Sequence, residues 1–281
     1  MDILQAIIIG IVQGLTEFLP VSSSAHLIFV QNLLGIPDVG LDYDVILHAG
    51  TLIAVMWFFR VDIVKLLASL VDSLFDLKNR QFKQGLAENP FKRLGWYVIL
   101  ATIPLVIVGY FFESQVDALY IGALFVPAFF LFVTGTILYI SQRMNSGEIN
   151  MNNIGPKESL LMGLGQACAV FPGLSRSGTT IAAGLVAGLD KEFAAKFSFI
   201  LSIPTMIGAV VLKFIIKSSE LNLSSIDFIP ALTGFIITII VGYFAIKWLL
   251  EIIQKRSLDC FAYYCWIVGI VVFVGSIAHI F

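Results

Sequence analysis

Apolar runs long enough to cross a bilayer recur from one end of this chain to the other, and that recurrence leaves few folds open to it. Runs at about 45–70, 94–112, 119–142, 192–217, 227–250 and 260–280 approach or exceed the roughly twenty residues that span about 30 Å of hydrocarbon. Only 13% of the 281 residues are charged and 58% are hydrophobic, whereas a soluble domain is charged at about a quarter of its positions. No soluble lobe of useful size remains. The expectation is an all-α polytopic membrane protein forming one integral domain, 1–281. The N-terminal stretch lacks the basic region and small-residue cleavage site of a removable signal peptide and is expected to be retained. A net charge of −2 without a basic stripe excludes nucleic acid as a partner. Cys168, Cys260 and Cys265 lack zinc spacing and are expected to be free buried thiols.

Two apolar segments near the N-terminus, 3–13 and 25–34, are too short to cross alone, since about ten residues make roughly 15 Å of helix. The polar turn Pro20-Val21-Ser22-Ser23-Ser24 joins them, so they read as a re-entrant pair, with broken backbone tolerated where protein or a wet cavity surrounds it. The second half repeats the layout: a short segment at 158–170, a polar break at 171–180 and a short return at 181–189. Pro20 aligns with Pro172, Thr51 with Thr205, and Val108-Gly109-Tyr110-Phe111 with Val241-Gly242-Tyr243-Phe244, in shared order. The polar segment Asp72 to Arg93, read as the one substantial loop, is missing from the second half. Two repeats follow, about 1–143 and 158–281, each a re-entrant pair plus three spanning helices. An odd number of crossings per repeat makes the copies inverted. Basic residues concentrate in 72–93, 143–157 and around Lys255-Arg256, which places those links in the cytoplasm. The links 35–44, 113–118 and 218–227 carry Asp38, Asp42, Asp44, Glu113, Asp117, Glu220 and Asp227 without Lys or Arg, and fall outside. The first re-entrant pair then enters from the outer side, the second from the cytoplasm, and both termini are external.

Each polar break also begins a half-helix. Ser22 or Ser23 can cap the first and Ser175 the second, so free backbone N–H groups and two positive dipole ends converge near the midplane. Such a place suits an anion, above all a phosphate. Arg176 completes it, because a guanidinium holds two phosphate oxygens at once. At about 2.5 to 3.5 kcal/mol for insertion, this arginine needs a partner or a ligand; the plainer alternative is a buried brace between Arg176 and Glu17. Ser23 and His26, at i and i+3, share a helical face, the pairing expected of a hydroxyl nucleophile and its base or leaving-group acid. Mere capping is the alternative for Ser22 to Ser24, and core packing for His26. Gln13 and Glu17, at i and i+4, face one way; Glu17 can hold a divalent cation on the phosphate, tune His26, or simply be hydrogen-bonded. His48 and Thr51 can line the entrance, with a packing or interfacial role favoured for His48. A transporter is the rival function, since inverted repeats with broken helices also serve alternating access.

At these residues the sequence resembles the undecaprenyl-diphosphate phosphatase family of the bacitracin-resistance type. Gln13-Gly14-Leu15-Thr16-Glu17-Phe18-Leu19-Pro20-Val21-Ser22-Ser23 is similar to its (Glu/Gln)-x-x-x-Glu motif and following Pro-x-Ser-Ser run. Pro172-Gly173-Leu174-Ser175-Arg176-Ser177-Gly178-x-Thr180 is similar to its Pro-Gly-x-Ser-Arg-Ser-Gly-x-Thr motif. The resemblance covers the chain end to end. It implies hydrolysis of a polyprenyl diphosphate to the monophosphate carrier of cell-wall and surface glycans, with the catalytic set falling on Glu17, Ser23, His26 and Arg176. Phosphate binding falls on Ser22, Ser175, Arg176, Ser177, Gly178 and Thr179, with Gln13, His48 and Thr51 in support. A divalent cation, Mg2+ or Ca2+, is expected on Glu17. Position 13 is Gln where many members have a second Glu, which shifts the acid or metal role onto Glu17. The expected partners are the polyprenyl diphosphate lipid and the plasma membrane, with the active site reached from the outer side; a homodimer is carried as an option.

Overall fold

The computed structural model describes residues 1–36, 40–120, 124–144, 147–212 and 227–278, the side chains of 40–42 and 113–120 apart. Among the described residues all regular structure is helical, and a single isolated bridge joins Ile149 to Leu189. The helices are α1 (Ile3–Phe18), α2 (Ser23–Leu33), α3 (Gly40–Phe58), α4 (Arg60–Lys78), α5 (Phe82–Glu88), α6 (Pro90–Tyr120), α7 (Phe125–Ser141), α8 (Pro156–Cys168), α9 (Arg176–Val186), α10 (Lys191–Val211), α11 (Phe228–Lys255) and α12 (Asp259–Ile277). Among the described residues four stretches are long and apolar enough to cross a membrane: Pro90–Phe112 of α6, and α10, α11 and α12. Helices α1 and α7 and the Tyr43–Phe58 part of α3 are shorter apolar elements. The all-α, multi-pass expectation stands on these. Of the acidic side chains assigned to outer links, Asp38, Asp42, Glu113, Asp117 and Glu220 lie outside the described residues.

Three local expectations are corrected. Helix α1 runs to Phe18 rather than stopping near residue 13. Its polar residues do not end it, because Gln13, Thr16 and Glu17 are buried with hydrogen-bond partners. Termination waits for Pro20, which pushes the preceding residue out of the helical region; Leu19 is extended, with ψ of 144°. The expected helix at 45–70 is broken at Phe59, whose φ and ψ are −95° and 19°. Arg60 donates to the C-terminal carbonyl of Trp57 at 3.1 Å and Asp62 pairs with Lys196 of α10 at 3.0 Å, so both charges favour a new helix start over a continuous span. The expected loop 72–93 is helical over most of its length, as the end of α4, α5 and the start of α6. Lys92 bridges Asp72 and Asp76 at 2.7 and 2.5 Å and ties α6 back onto α4.

Helix α1 packs chiefly along α11, and α8 along α6, while α7 packs along α12 and α3 along α11. Small residues make the first of these contacts close. A Cβ added at Gly10 would lie 2.8 Å from the Gly234 carbonyl oxygen, so only glycine lets the two backbones approach this far. Thr238 of α11 also donates to the Gly10 carbonyl at 3.2 Å. Of the cysteines, only Cys265 is buried; Cys168 and Cys260 are exposed, contrary to the expectation, because their helix faces turn away from the packed interior.

Candidate active site

The two polar breaks meet inside the bundle. Ser22 caps α2 and Ser175 caps α9, their side chains accepting from the amides of Ala25 and Gly178 at 3.5 and 3.1 Å. The first amides of each helix have no intrahelical acceptor, so both helices present N–H groups to the meeting point. Three cross-links hold the breaks together: Ser177 Oγ donates to the Leu19 carbonyl at 3.0 Å, the Gly173 amide donates to Ser24 Oγ at 3.3 Å, and Arg176 pairs with Glu17. From α7, Thr134 Oγ1 donates to the Gly173 carbonyl at 3.1 Å and accepts from the Ser175 amide at 3.0 Å. Gly173 itself has φ of +97°, and a Cβ there would overlap the backbone of Pro127. Ser22 also has positive φ, 67°. A non-glycine residue held there is a strained point of the kind found at functional sites.

Glu17 is the hub. Its Oε1 accepts from Arg176 Nη2 at 2.6 Å, and its Oε2 accepts from Ser23 Oγ at 2.7 Å and from Gln13 Nε2 at 3.1 Å. His48 Nε2 stands 3.7 Å from the same oxygen. The Glu17 side chain is 7% exposed and that of Arg176 17%, so the pair is little screened by solvent. Two polar atoms here are buried without a partner among the described residues: Arg176 Nη1 and Gln13 Oε1. Buried polar groups are nearly always paired. An unpaired guanidinium N–H beside two helix N-termini leaves a place for an anion's oxygen; an unpaired amide oxygen leaves one for a proton donor or a cation.

The structure thus brings Gln13, Glu17, Ser23, His48 and Arg176 together, and the brace between Arg176 and Glu17 is present. It does not pair Ser23 with His26. His26 is turned away: Nδ1 bonds the Ser22 carbonyl at 2.8 Å and Nε2 the Tyr264 hydroxyl at 2.7 Å. The expected phosphate-binding hydroxyls are engaged in holding the breaks. Ser175 caps α9, Ser177 donates to Leu19, and Thr179 Oγ1 donates to the Ser175 and Arg176 carbonyls at 2.8 and 3.2 Å. The Gly178 amide is taken by the Ser175 cap. Thr51 is buried and donates to the His48 carbonyl at 2.9 Å, within its own helix. Sequence reasoning missed Thr134, whose only signal was a hydroxyl in an apolar run, and Tyr264, which is 238 positions from His26.

For a divalent cation the donor set is small, and no cluster of three or more His, Cys, Asp or Glu side chains forms among the described residues. One carboxylate and the unpaired Gln13 Oε1 are oxygen donors of the hard type that Mg2+ and Ca2+ take, and Mg2+ is commonly held by one or two carboxylates with substrate phosphates and water. The residues fit such an ion if the substrate supplies most of its ligands.

The family described as Bacitracin resistance protein BacA matches residues 6–271. The chain is 64% identical to a protein of Methanobrevibacter smithii named undecaprenyl-diphosphatase, over 100% of both chains. A protein of the same name from Methanosphaera stadtmanae is 46% identical over 99% of each chain. Another, from Carboxydothermus hydrogenoformans, is 37% identical over 98% of this chain and 97% of its own. With a family match over nearly the whole sequence and relatives aligned from end to end, this chain belongs to the BacA bacitracin-resistance family.

Proposed function

We propose that the protein is an integral membrane phosphatase that hydrolyses undecaprenyl diphosphate to the monophosphate and inorganic phosphate, returning the lipid carrier to cell-wall or surface-glycan synthesis. One observation carries this reading: the Glu17 carboxylate bridges the Ser23 hydroxyl and the Arg176 guanidinium where the N-termini of α2 and α9 meet. The terminal phosphate sits against Arg176 Nη1 and the first amides of the two helices, while the prenyl chain stays in lipid. Ser23 Oγ attacks the terminal phosphorus and passes its proton to Glu17. The bond from phosphorus to the bridging oxygen breaks, the lipid monophosphate leaves, and water then cleaves the phosphoserine to release inorganic phosphate. This gives Glu17, at 2.7 Å, the role of base that spacing alone suggested for His26. His26 takes part in proton movement as an acceptor at Nε2, its Nδ1 proton being donated to the Ser22 carbonyl. Phosphoryl transfer is chiefly positioning and charge stabilisation, which an arginine between two helix N-termini supplies. Glu17 and Gln13 Oε1 would hold a divalent cation, which neutralises phosphate charge when bound.

The frame is read as two inverted repeats. In support, Ser22 and Ser175 occupy the same cap position 153 residues apart, as Gln13 and Gln166 do on the preceding helices, both buried. The packing of α1 on α11 is mirrored by that of α8 on α6 with the halves exchanged. Basic links on one side and acidic links on the other favour access from the outer side. A lipid carrier would use Arg176 but has no need of a serine hydrogen-bonded to a carboxylate, and the curated relatives are named diphosphatases. The test is rapid-quench trapping with terminally labelled undecaprenyl diphosphate. Label on Ser23 is expected; full-rate phosphate release from Ser23→Ala would remove the nucleophile from the scheme.

A further inference from the structure

The imidazole of His26 is held at both nitrogens. A carbonyl oxygen only accepts, so the 2.8 Å contact to Ser22 requires the proton on Nδ1, and in the neutral imidazole this leaves Nε2 as an acceptor. The Tyr264 hydroxyl is 2.7 Å from Nε2 and is the donor to that neutral ring. The two ring planes are 9° from parallel, with centroids 5.6 Å apart, so the hydroxyl approaches Nε2 edge on. Tyr264 lies on α12 and its residue is 42% exposed. A tyrosine on a lipid-facing helix ordinarily buries its ring and turns its hydroxyl outward to water or headgroups. Here the hydroxyl instead points inward, onto the buried imidazole. On the other side, the carbonyl that fixes Nδ1 belongs to Ser22, the residue with φ of 67°. A strained backbone on one side and an inward phenol on the other converge on one tautomer and one ring orientation.

We propose that Tyr264 is a positioning residue for the reaction: it donates to His26 Nε2, keeps the imidazole in its Nδ1–H form and holds the ring beside the α2 N-terminus. The proposal rests on the reading above in which His26 takes part in proton movement. It assigns to α12, in the second half of the chain, a contribution to a group that the first half carries.

The substitution Tyr264→Phe deletes the hydroxyl and keeps the ring. The first readout is structural. The sequence has three histidines, so 15N-histidine spectra of the full-length protein in nanodiscs, with His26→Gln to assign the signal, report the tautomer directly. The wild type is expected to show His26 as Nδ1–H with a hydrogen-bonded Nε2, and Tyr264→Phe to shift the Nε2 signal. The second readout is phosphate release from undecaprenyl diphosphate. Tyr264→Phe is expected to lower kcat about three- to tenfold, the range of one hydrogen bond, with KM within twofold, and to cause no further loss in a His26→Gln background. An equal loss in both backgrounds, or an unmoved His26 signal, overturns the proposal as a mere packing effect. Slow His26→Gln with full-rate Tyr264→Phe overturns the role of Tyr264 alone. Full-rate His26→Gln overturns the reading of His26, and the proposal falls with it.

Discussion

Arg176→Lys is the sharpest perturbation of the site, because it keeps the charge and removes the fork. In the structure one guanidinium nitrogen is committed to Glu17 at 2.6 Å and the other is buried and unpaired. A lysine offers one nitrogen where two are needed. It satisfies Glu17 or the incoming phosphate, and the carboxylate, already present and 7% exposed, takes it first. What is lost is one preorganised donor to the charge that grows in the transition state, which is worth roughly 2.7 to 4 kcal/mol, or about 10²- to 10³-fold in rate. Because the buried carboxylate keeps a counter-charge, thermal unfolding in detergent should stay close to wild type. Arg176→Ala differs on that second axis: it strands the carboxylate and should destabilise the fold by about 3–5 kcal/mol in addition to abolishing turnover. The assay is phosphate release from undecaprenyl diphosphate in mixed micelles, with kcat and KM separated, beside a melting curve for each variant. If Arg176→Lys turns over within fivefold of wild type, the free guanidinium nitrogen is not a transition-state donor and the clamp is wrong.

Other outcomes follow from neighbouring contacts. Glu17→Gln should slow phosphate release at least about a hundredfold, the lower end for loss of a general base, and should abolish the trapped phosphoserine; a trapped intermediate at the normal rate would return the base role to another group. Gly173→Ala should lower stability by at least about 2 kcal/mol, since it combines φ of +97° with overlap on the Pro127 backbone; an unchanged melting point would show that the break adapts easily. Chelator should suppress phosphate release, and Mg2+ or Ca2+ should restore it; full activity after exhaustive chelation would remove the cation from the scheme. In Gln13→Leu, which deletes the unpaired oxygen, the divalent-ion concentration giving half-maximal rate should rise several-fold, and an unchanged midpoint would free Gln13 of that role.

The linear sequence by itself determined the class of fold and the chemical types at the site. Apolar runs of spanning length cannot be sheltered from water in so small a chain except by a bilayer, and polar residues inside them are retained only where they have partners. The caps at Ser22 and Ser175 were equally local and legible, whereas pattern alone ends α1 near residue 13, because the partners of the buried Glu17, Ser23 and Arg176, lie on other parts of the chain. Tertiary structure decided which group serves which. Ser23 and His26 share a helical face by spacing, yet Glu17 from the preceding helix takes the Ser23 proton donor, because a buried carboxylate gathers every donor within reach. The Arg176 contact to Glu17 spans 159 positions and the Tyr264 contact to His26 spans 238, distances at which sequence pattern carries no signal. Likewise Asp62, just past the break at Phe59, finds its partner Lys196 on another helix. The local code placed two polar breaks between apolar helices; only their meeting, in which donors of one break find acceptors on the other, makes them a site.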